Sequence, residues 1–377
     1  MPDDFATTLT AWRHHLHTHP ELSRQETETA SFVCARLEEL GIPYEAGIGG
    51  HGVVASLKRG GANRSVGLRA DMDALPIPEA SGKPYASRNQ GVMHACGHDG
   101  HTTSLLGAAM LLRDDQDWSG QVHLVFQPAE EGFNGAHAMV ADGLFERFPM
   151  ERIFGYHNWP GLEAGTVMVH PGPVMAGATE FTIALKGKAG HAGMPHLCVD
   201  PVQGIAHLIV AVNSIVARNL PPSEAGVIST CTLKAGEAHN QVPESASMGG
   251  TIRAFSFDAM ELLKRRLSET AHGVAAAFGL EADIWLGGEL APTGNSPREA
   301  DLAAEAAQAA GLKVRRDMEP TMGAEDFGRF LADIPGAYAW IGNGPSAGLH
   351  NPAYDYNDEI LPVAARFLAS CAKAALR

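Results

Sequence analysis

The chain has 377 residues, 45% of them apolar and 19% charged, which is enough for two ordinary globular domains and excludes a disordered or fibrous protein. Its formal net charge of -15 repels phosphate backbones and anionic lipid, so neither nucleic acid nor a membrane surface is an expected partner. No apolar run is read as long enough to span a bilayer, and the acidic start MPDDFATTLTAWRHH lacks an apolar signal region, so the expected compartment is the cytoplasm.

Residues 5–40 predict an amphipathic helix interrupted at Pro20, with Gly41 as a left-handed cap. The short apolar runs GVVASL and SVGLRA follow, then a turn-rich stretch to about residue 97. A helical segment, SLLGAAMLLRD, is expected to start after the polar residues 101–103. QVHLVFQPA and RIFGY read as strands. Alternating strands and helices predict an α/β layer with a mostly parallel central sheet flanked by helices.

Residues 178–290 change character. ATEFTIALKG alternates apolar and polar residues, as a strand with one wet face does. Asp200 and Pro201 predict a helix start. GVISTCTLKAG and SASMGGTIRAF are two more strands, DAMELLKRRLSETAHGVAAAFG a second helix, and EADIWLGGEL a last strand. The order β-α-β-β-α-β makes a compact α+β unit. The α/β pattern returns with the helix READLAAEAAQAAG, the loop TMGAEDFGRF, the strand AYAWIGN and a final helix from about Pro362. The expected organisation is a discontinuous domain, 1–177 and 291–377, interrupted by an inserted domain, 178–290.

The five cysteines, Cys34, Cys96, Cys198, Cys231 and Cys371, are odd in number and have no CxxC spacing; no disulfide framework is expected. Four read as small buried hydrophobes. Cys96 differs because it lies in MHACGHDGHTT, residues 93–103, one residue from His98. A glycine-containing turn can aim both side chains at one point, and thiolate with imidazole is a good ligand pair for a first-row metal. A loop of solvated histidines is the plainer reading of that segment alone.

FQPAEEG, residues 126–132, follows a strand end, where α/β proteins place ligand groups. Of the adjacent Glu130 and Glu131, one can bind a metal while the other takes a proton from water; two exposed glutamates in a turn is the alternative. His157 is expected directly after the strand RIFGY, and His350 in the loop after AYAWIGN. Cys96, His98, Glu131, His157 and His350 make five donors, which suit two ions sharing a bridging ligand better than one tetrahedral ion. A Cys–His pair alone would also fit a cysteine hydrolase, but that scheme leaves the glutamates and the distant histidines without work.

At these residues the chain resembles the M20 metallopeptidase family, in its aminoacylase-like branch of hippurate hydrolases and auxin–amino acid conjugate hydrolases. The matching segments, in order, are LHTHPELSRQE (16–26), RADMDALP, HACGHDGHT, PAEEG, GHAGMPH, the NQVPE region, MGAEDF and LHNPAYDYND (349–358). The resemblance implies a homodimer, with a catalytic domain and an inserted dimerisation or lid domain. It implies two divalent ions, zinc, manganese, cobalt or nickel, bridged by Cys96. His98 and His157 would complete one site, and Glu131 and His350 the other. Much of the wider family has a His two residues before an Asp; here that stretch is Asp71-Met72-Asp73 and the His is missing. Asp73 is then expected to orient a ligand and Glu130 to be the general base.

The implied reaction is hydrolysis of the amide bond of an N-acyl amino acid. A dipeptidase or carboxypeptidase, or a non-catalytic metal-binding protein of the same fold, is the alternative. His191 is the candidate oxyanion donor, by resemblance from the other subunit. Arg253 and Asn240 are candidates for the substrate α-carboxylate. His17 and His19 are given no role. The acidic pair Glu325 and Asp326, in the Gly323–Phe327 loop, reads either as a site rim or as helix capping.

Overall fold

The computed structural model describes residues 3–377. They form two compact units. The larger runs to Gly172 and includes Gly294–Glu319 and Asp326–Arg377; the smaller comprises Pro173–Thr293 and Pro320–Glu325.

The larger unit is built on an eight-stranded sheet. Its strands are β1 (Tyr44–Ile48), β2 (Gly52–Arg59), β3 (Ser65–Asp71), β4 (Gly120–Gln127), β5 (Ile153–Pro160), β6 (Val167–Met168), β7 (Val314–Arg315) and β8 (Gly336–Gly344), in the order β1-β2-β4-β3-β5-β8-β6-β7. The central run β4-β3-β5-β8 is parallel. β1 and β2 join antiparallel on one side and β6 on the other. The sheet is thus parallel at its centre and mixed towards its edges. Because β4, β3, β5 and β8 run the same way, their carboxyl ends open on one side, where α/β sheets bind ligands.

The longer helices are α1 (Asp3–Thr18), α2 (Thr27–Glu39), α3 (His98–Asp114), α4 (Pro297–Ala309) and α5 (Leu361–Ala375). Gly41 has φ +67° just past α2, as its capping position predicts. Helix α3 is buried almost all round, from His98 to Ala109, because it packs against α1, α5 and β3 together. It begins at His98 rather than after residue 103. The polar HDGHTT stretch, read as a lead-in, is its first turn and a half, kept helical by buried partners.

The smaller unit has the expected β-α-β-β-α-β order. Its four strands lie antiparallel in the order Gly226–Ala235, Ser245–Ala254, Gly177–Lys186, Glu281–Leu290. Along Gly177–Lys186, Phe181, Ile183 and Leu185 are buried while Glu180, Thr182 and Lys186 are exposed, so one face carries the core and its two helices. Asp200 caps the first helix, accepting from the Val202 amide at 2.9 Å. That helix, Pro201–Asn219, is by length and composition apolar enough to cross a membrane, which corrects the expectation that no run reaches that size. Its Ile205, Leu208, Val212 and Ile215 are nonetheless buried in the unit's own core.

Candidate metal centre

The site gathers at the carboxyl ends of β3, β4, β5 and β8. Asp71 closes β3, and Asp73 follows two residues on, so both carboxylates lie at the sheet rim and both are buried. Arg69 anchors Asp71: it donates to Asp71 Oδ2 at 2.7 Å, to Gln127 Oε1 at 2.8 Å and to Asp326 Oδ1 at 3.0 Å. Burial opposes the charge of Asp71, but His98, His101 and Arg69 around it hold its carboxyl well below the usual range.

Cys96 and His98 flank Gly97, which has φ +93°. A Cβ there would lie 2.4 Å from Asn158 Oδ1 and 2.6 Å from the Tyr354 hydroxyl. Glycine is therefore required twice, for its backbone angle and for the space. The reversal turns Cys96 and the first residue of α3 towards the same point. His98 Nδ1 lies 2.9 Å from the Asp73 carbonyl oxygen, and such a bond fixes the hydrogen on Nδ1 and leaves Nε2 free to bind an ion. Burial by itself would lower the His98 pKa; Asp71 first and then Asp73 outweigh it and push the ring up to about 10.

His157 lies within β5 rather than after it, because the strand continues to Pro160. Its Nδ1 lies 2.7 Å from the Asn158 carbonyl, and its Nε2 lies 3.3 Å from Cys96 Sγ. Burial and then the neighbouring His101 hold its pKa well below the ordinary value, so the ring is neutral. Burial, followed by the charges of Glu131, Glu130 and Asp71, pushes the Cys96 thiol up. Glu131 Oε1 lies 3.2 Å from His350 Nε2. Among the described residues His350 is one of four non-glycine residues with positive φ, at +62°, and its amide donates to the Ala95 carbonyl at 2.8 Å.

Two triads share the thiol: Cys96, His98 and His157, and Cys96, Glu131 and His350, each with its ligand atoms within 4.8 Å of one another. Zinc-to-ligand bonds of roughly 2.0–2.3 Å put neighbouring ligand atoms about 3.5 Å apart, close to the Cys96–His157 separation. The fully buried His98 Nε2 has no hydrogen-bond partner. It faces Asp71 at 3.8 Å, Glu130 at 3.9 Å and Glu131 at 4.0 Å. A partnerless ring nitrogen among carboxylates, beside a thiol, fits a divalent cation.

Glu130 is buried, and its side chain points the same way as that of Glu131 towards His98. Asp73 cradles the pair, accepting the Glu130 amide at 3.1 Å and the Glu131 amide at 2.9 Å; Ser23 donates to its Oδ2 at 2.6 Å. Asp326 is fully buried, with a carboxylate oxygen within 4.8 Å of one of Glu130. Its Oδ2 accepts the Ala136 amide at 2.9 Å, in the first turn of the short helix Gly135–Ala141.

His191, Asn240 and Arg253 belong to the smaller unit. His191 is exposed on a two-residue strand paired with Gln241, and the Asn240 carbonyl accepts the Ala192 amide at 3.0 Å. These two are neighbours. Arg253 lies on the four-stranded sheet, between Val227 and Ala178. In the larger unit His17, given no role from sequence, bridges Asp99 Oδ2 at 2.8 Å and Glu79 Oε1 at 3.2 Å. His101 ties Asp71 Oδ1 at 2.6 Å to Asn158 Oδ1 at 2.7 Å; its place in the histidine-rich motif was the only sequence signal for it.

Known proteins match this chain along nearly its whole length. The sequence profile of peptidase family M20/M25/M40 fits residues 67–374. Hippurate hydrolase of Campylobacter jejuni is 40% identical, over 96% of this chain and 94% of its own. N-acetyl-L-cysteine deacetylase of Bacillus subtilis is 38% identical, over 96% and 86%. The crystal structure of a dinuclear metal-binding M20 peptidase from Bacillus subtilis superposes with a TM-score of 0.89 at 35% identity, covering 99% of each chain. By sequence, fold and donor set the chain belongs to the M20/M25/M40 peptidase family and is a metal-binding hydrolase.

Proposed function

We propose that the protein hydrolyses N-acyl amino acids to a carboxylic acid and a free amino acid, with two divalent ions held by Cys96, His98, Glu131, His157 and His350. The observation that carries the reading is the pair of donor triads sharing Cys96, with Glu130 directed at the same space. Hydrolases of hippurate and of N-acetylcysteine among the relatives support this substrate class.

Two bound ions would supply Lewis acidity to the attacking water and to the scissile carbonyl. Glu130 takes the proton of that water and passes it to the leaving amine. Asp73 holds the backbone of Glu130 and Glu131 and, through its carbonyl, the His98 ring. His191 is assigned the oxyanion. Its Nδ1 accepts the Gly193 amide at 3.0 Å, which in the neutral ring leaves the hydrogen on Nε2, the donor such a role needs. Arg253 and Asn240 are assigned the product α-carboxylate. Residues 178–290 are assigned to homodimer formation. Zinc, manganese, cobalt and nickel all suit a thiolate–imidazole–carboxylate set, and a reducing cytoplasm suits a free thiol ligand.

The test is release of free amino acid from a panel of N-acyl amino acids and dipeptides, with chelator, with each metal restored, and in Glu130→Gln. Activity that chelator abolishes, metal restores and the variant lacks supports the reading. Preference for dipeptides would replace the substrate class. Full activity in metal-free protein would overturn the mechanism and return Cys96 as a nucleophile.

A further inference from the structure

The turn that carries Glu130 and Glu131 is held by more than Asp73. Ala129, just before the pair, has φ +55°, a conformation that a residue with a Cβ enters only under constraint. Its carbonyl accepts the Gly135 amide at 3.0 Å, closing the loop. Its own amide donates to Glu26 Oε1 at 2.7 Å. The next two amides go to the two oxygens of Asp73. Three successive N–H groups therefore converge on two buried carboxylates, a concave arrangement of the kind that receives anions.

Glu26 is fully buried. It immediately precedes α2, yet its side chain makes no capping bond to that helix. Glu21 caps α2 instead, accepting from the Glu28 and Thr29 amides at 3.1 and 2.8 Å and from the Thr29 hydroxyl at 2.9 Å. Glu26 is thus released from capping α2, and its carboxyl meets the backbone at Arg24, at Glu26 itself and at Ala129. Burying a carboxylate is unfavourable unless its hydrogen bonds are made, and the most distant of these in sequence, at 2.7 Å, is to the amide of Ala129, the positive-φ residue directly before the glutamate pair.

We propose that Glu26 is a positioning residue. It holds Ala129 in the left-handed conformation and so fixes the directions in which Glu130 and Glu131 leave the chain. The proposal rests on the assignment of Glu131 as ligand and Glu130 as base.

The test compares Glu26→Ala, Glu26→Gln and the double variant Glu26→Ala with Ala129→Gly, beside Glu131→Ala. Zinc per chain at buffered free zinc, zinc affinity, kcat and KM are measured, with circular dichroism to confirm folding. In Glu26→Ala one of the two ions should bind about 10- to 100-fold more weakly, the range for loss of an outer-shell partner, and kcat should fall while KM holds. Glu26→Gln keeps the accepting oxygen and should stay near wild type. Ala129→Gly should recover most of the loss, because glycine adopts positive φ freely.

Unchanged affinity and kcat in Glu26→Ala, equal damage in Glu26→Gln, or no recovery in the double variant would each overturn the proposal. Should Glu26→Ala fail to fold, Glu26→Asp, which withdraws the oxygen by one methylene, replaces it under the same criteria. Full zinc content in Glu131→Ala would instead overturn the ligand assignment, a failure that the Glu26 series does not mimic.

Discussion

Cys96 Sγ stands 3.3 Å from His157 Nε2, and both groups are buried. Such a thiol binds metal as a thiolate, so ion uptake by the apoprotein releases a proton. Cys96→Ala should abolish the thiolate-to-cobalt charge-transfer band of the cobalt-loaded protein and lower metal content at both triads. A variant that kept two ions per chain would show that the thiol is not the shared ligand.

Glu130→Gln preserves shape and the amide held by Asp73, so metal content should match wild type. Turnover should fall by about 10²- to 10⁴-fold, the usual contribution of a positioned general base. Parallel loss of metal would move Glu130 from base to ligand.

Gly97→Ala combines a positive φ with overlap against Asn158 and Tyr354. The backbone angle alone costs about 1–2 kcal/mol, and the overlap adds to it. Urea unfolding of the apoprotein should show a lower midpoint at an unchanged slope, and the variant should bind metal poorly. A stability equal to wild type would contradict the crowding around this residue.

The pairing of His17 has a pH signature. Burial alone would lower its pKa, but Asp99 outweighs it, through charge and hydrogen bond, and pushes the ring up to about 9. A folded-state pKa above the unfolded value of about 6.5 means the folded state binds the proton more tightly. The contribution is complete below about pH 6.5 and is lost as pH rises to about 9. The difference in unfolding free energy between wild type and His17→Gln, measured in chelator, should be at most about 3 kcal/mol near pH 6 and shrink by pH 9. A difference that grew with pH would reverse the assignment.

Local pattern made much of this molecule readable. The β-α-β-β-α-β run follows from alternation and from the Asp200–Pro201 helix start, both of which act within a few residues. The donor types announced themselves because Cys and His beside glycine have little other use. What escaped depends on partners far away in the chain. His157 reads as a loop residue because β5 runs past an aromatic and a proline while pairing with β8 as far as Gly344. Helix α3 starts early because His98, Asp99 and His101 find buried partners from distant segments. Glu26 looks like an ordinary residue at a helix start, and Asp326 like one of two acids in a loop. The donors they accept from are the backbone amides of Ala129 and Ala136, which no side-chain pattern reveals.

The contact between Glu131 and His350 joins residues far apart in synthesis order. His350 leaves the ribosome only when most of the chain is already made. The strand β8 that pairs with the His157 strand and the helix α5 that packs on the His98 helix are made equally late. On this assignment both triads wait for the C-terminal segments, one for a ligand and the other for the elements that hold it in place.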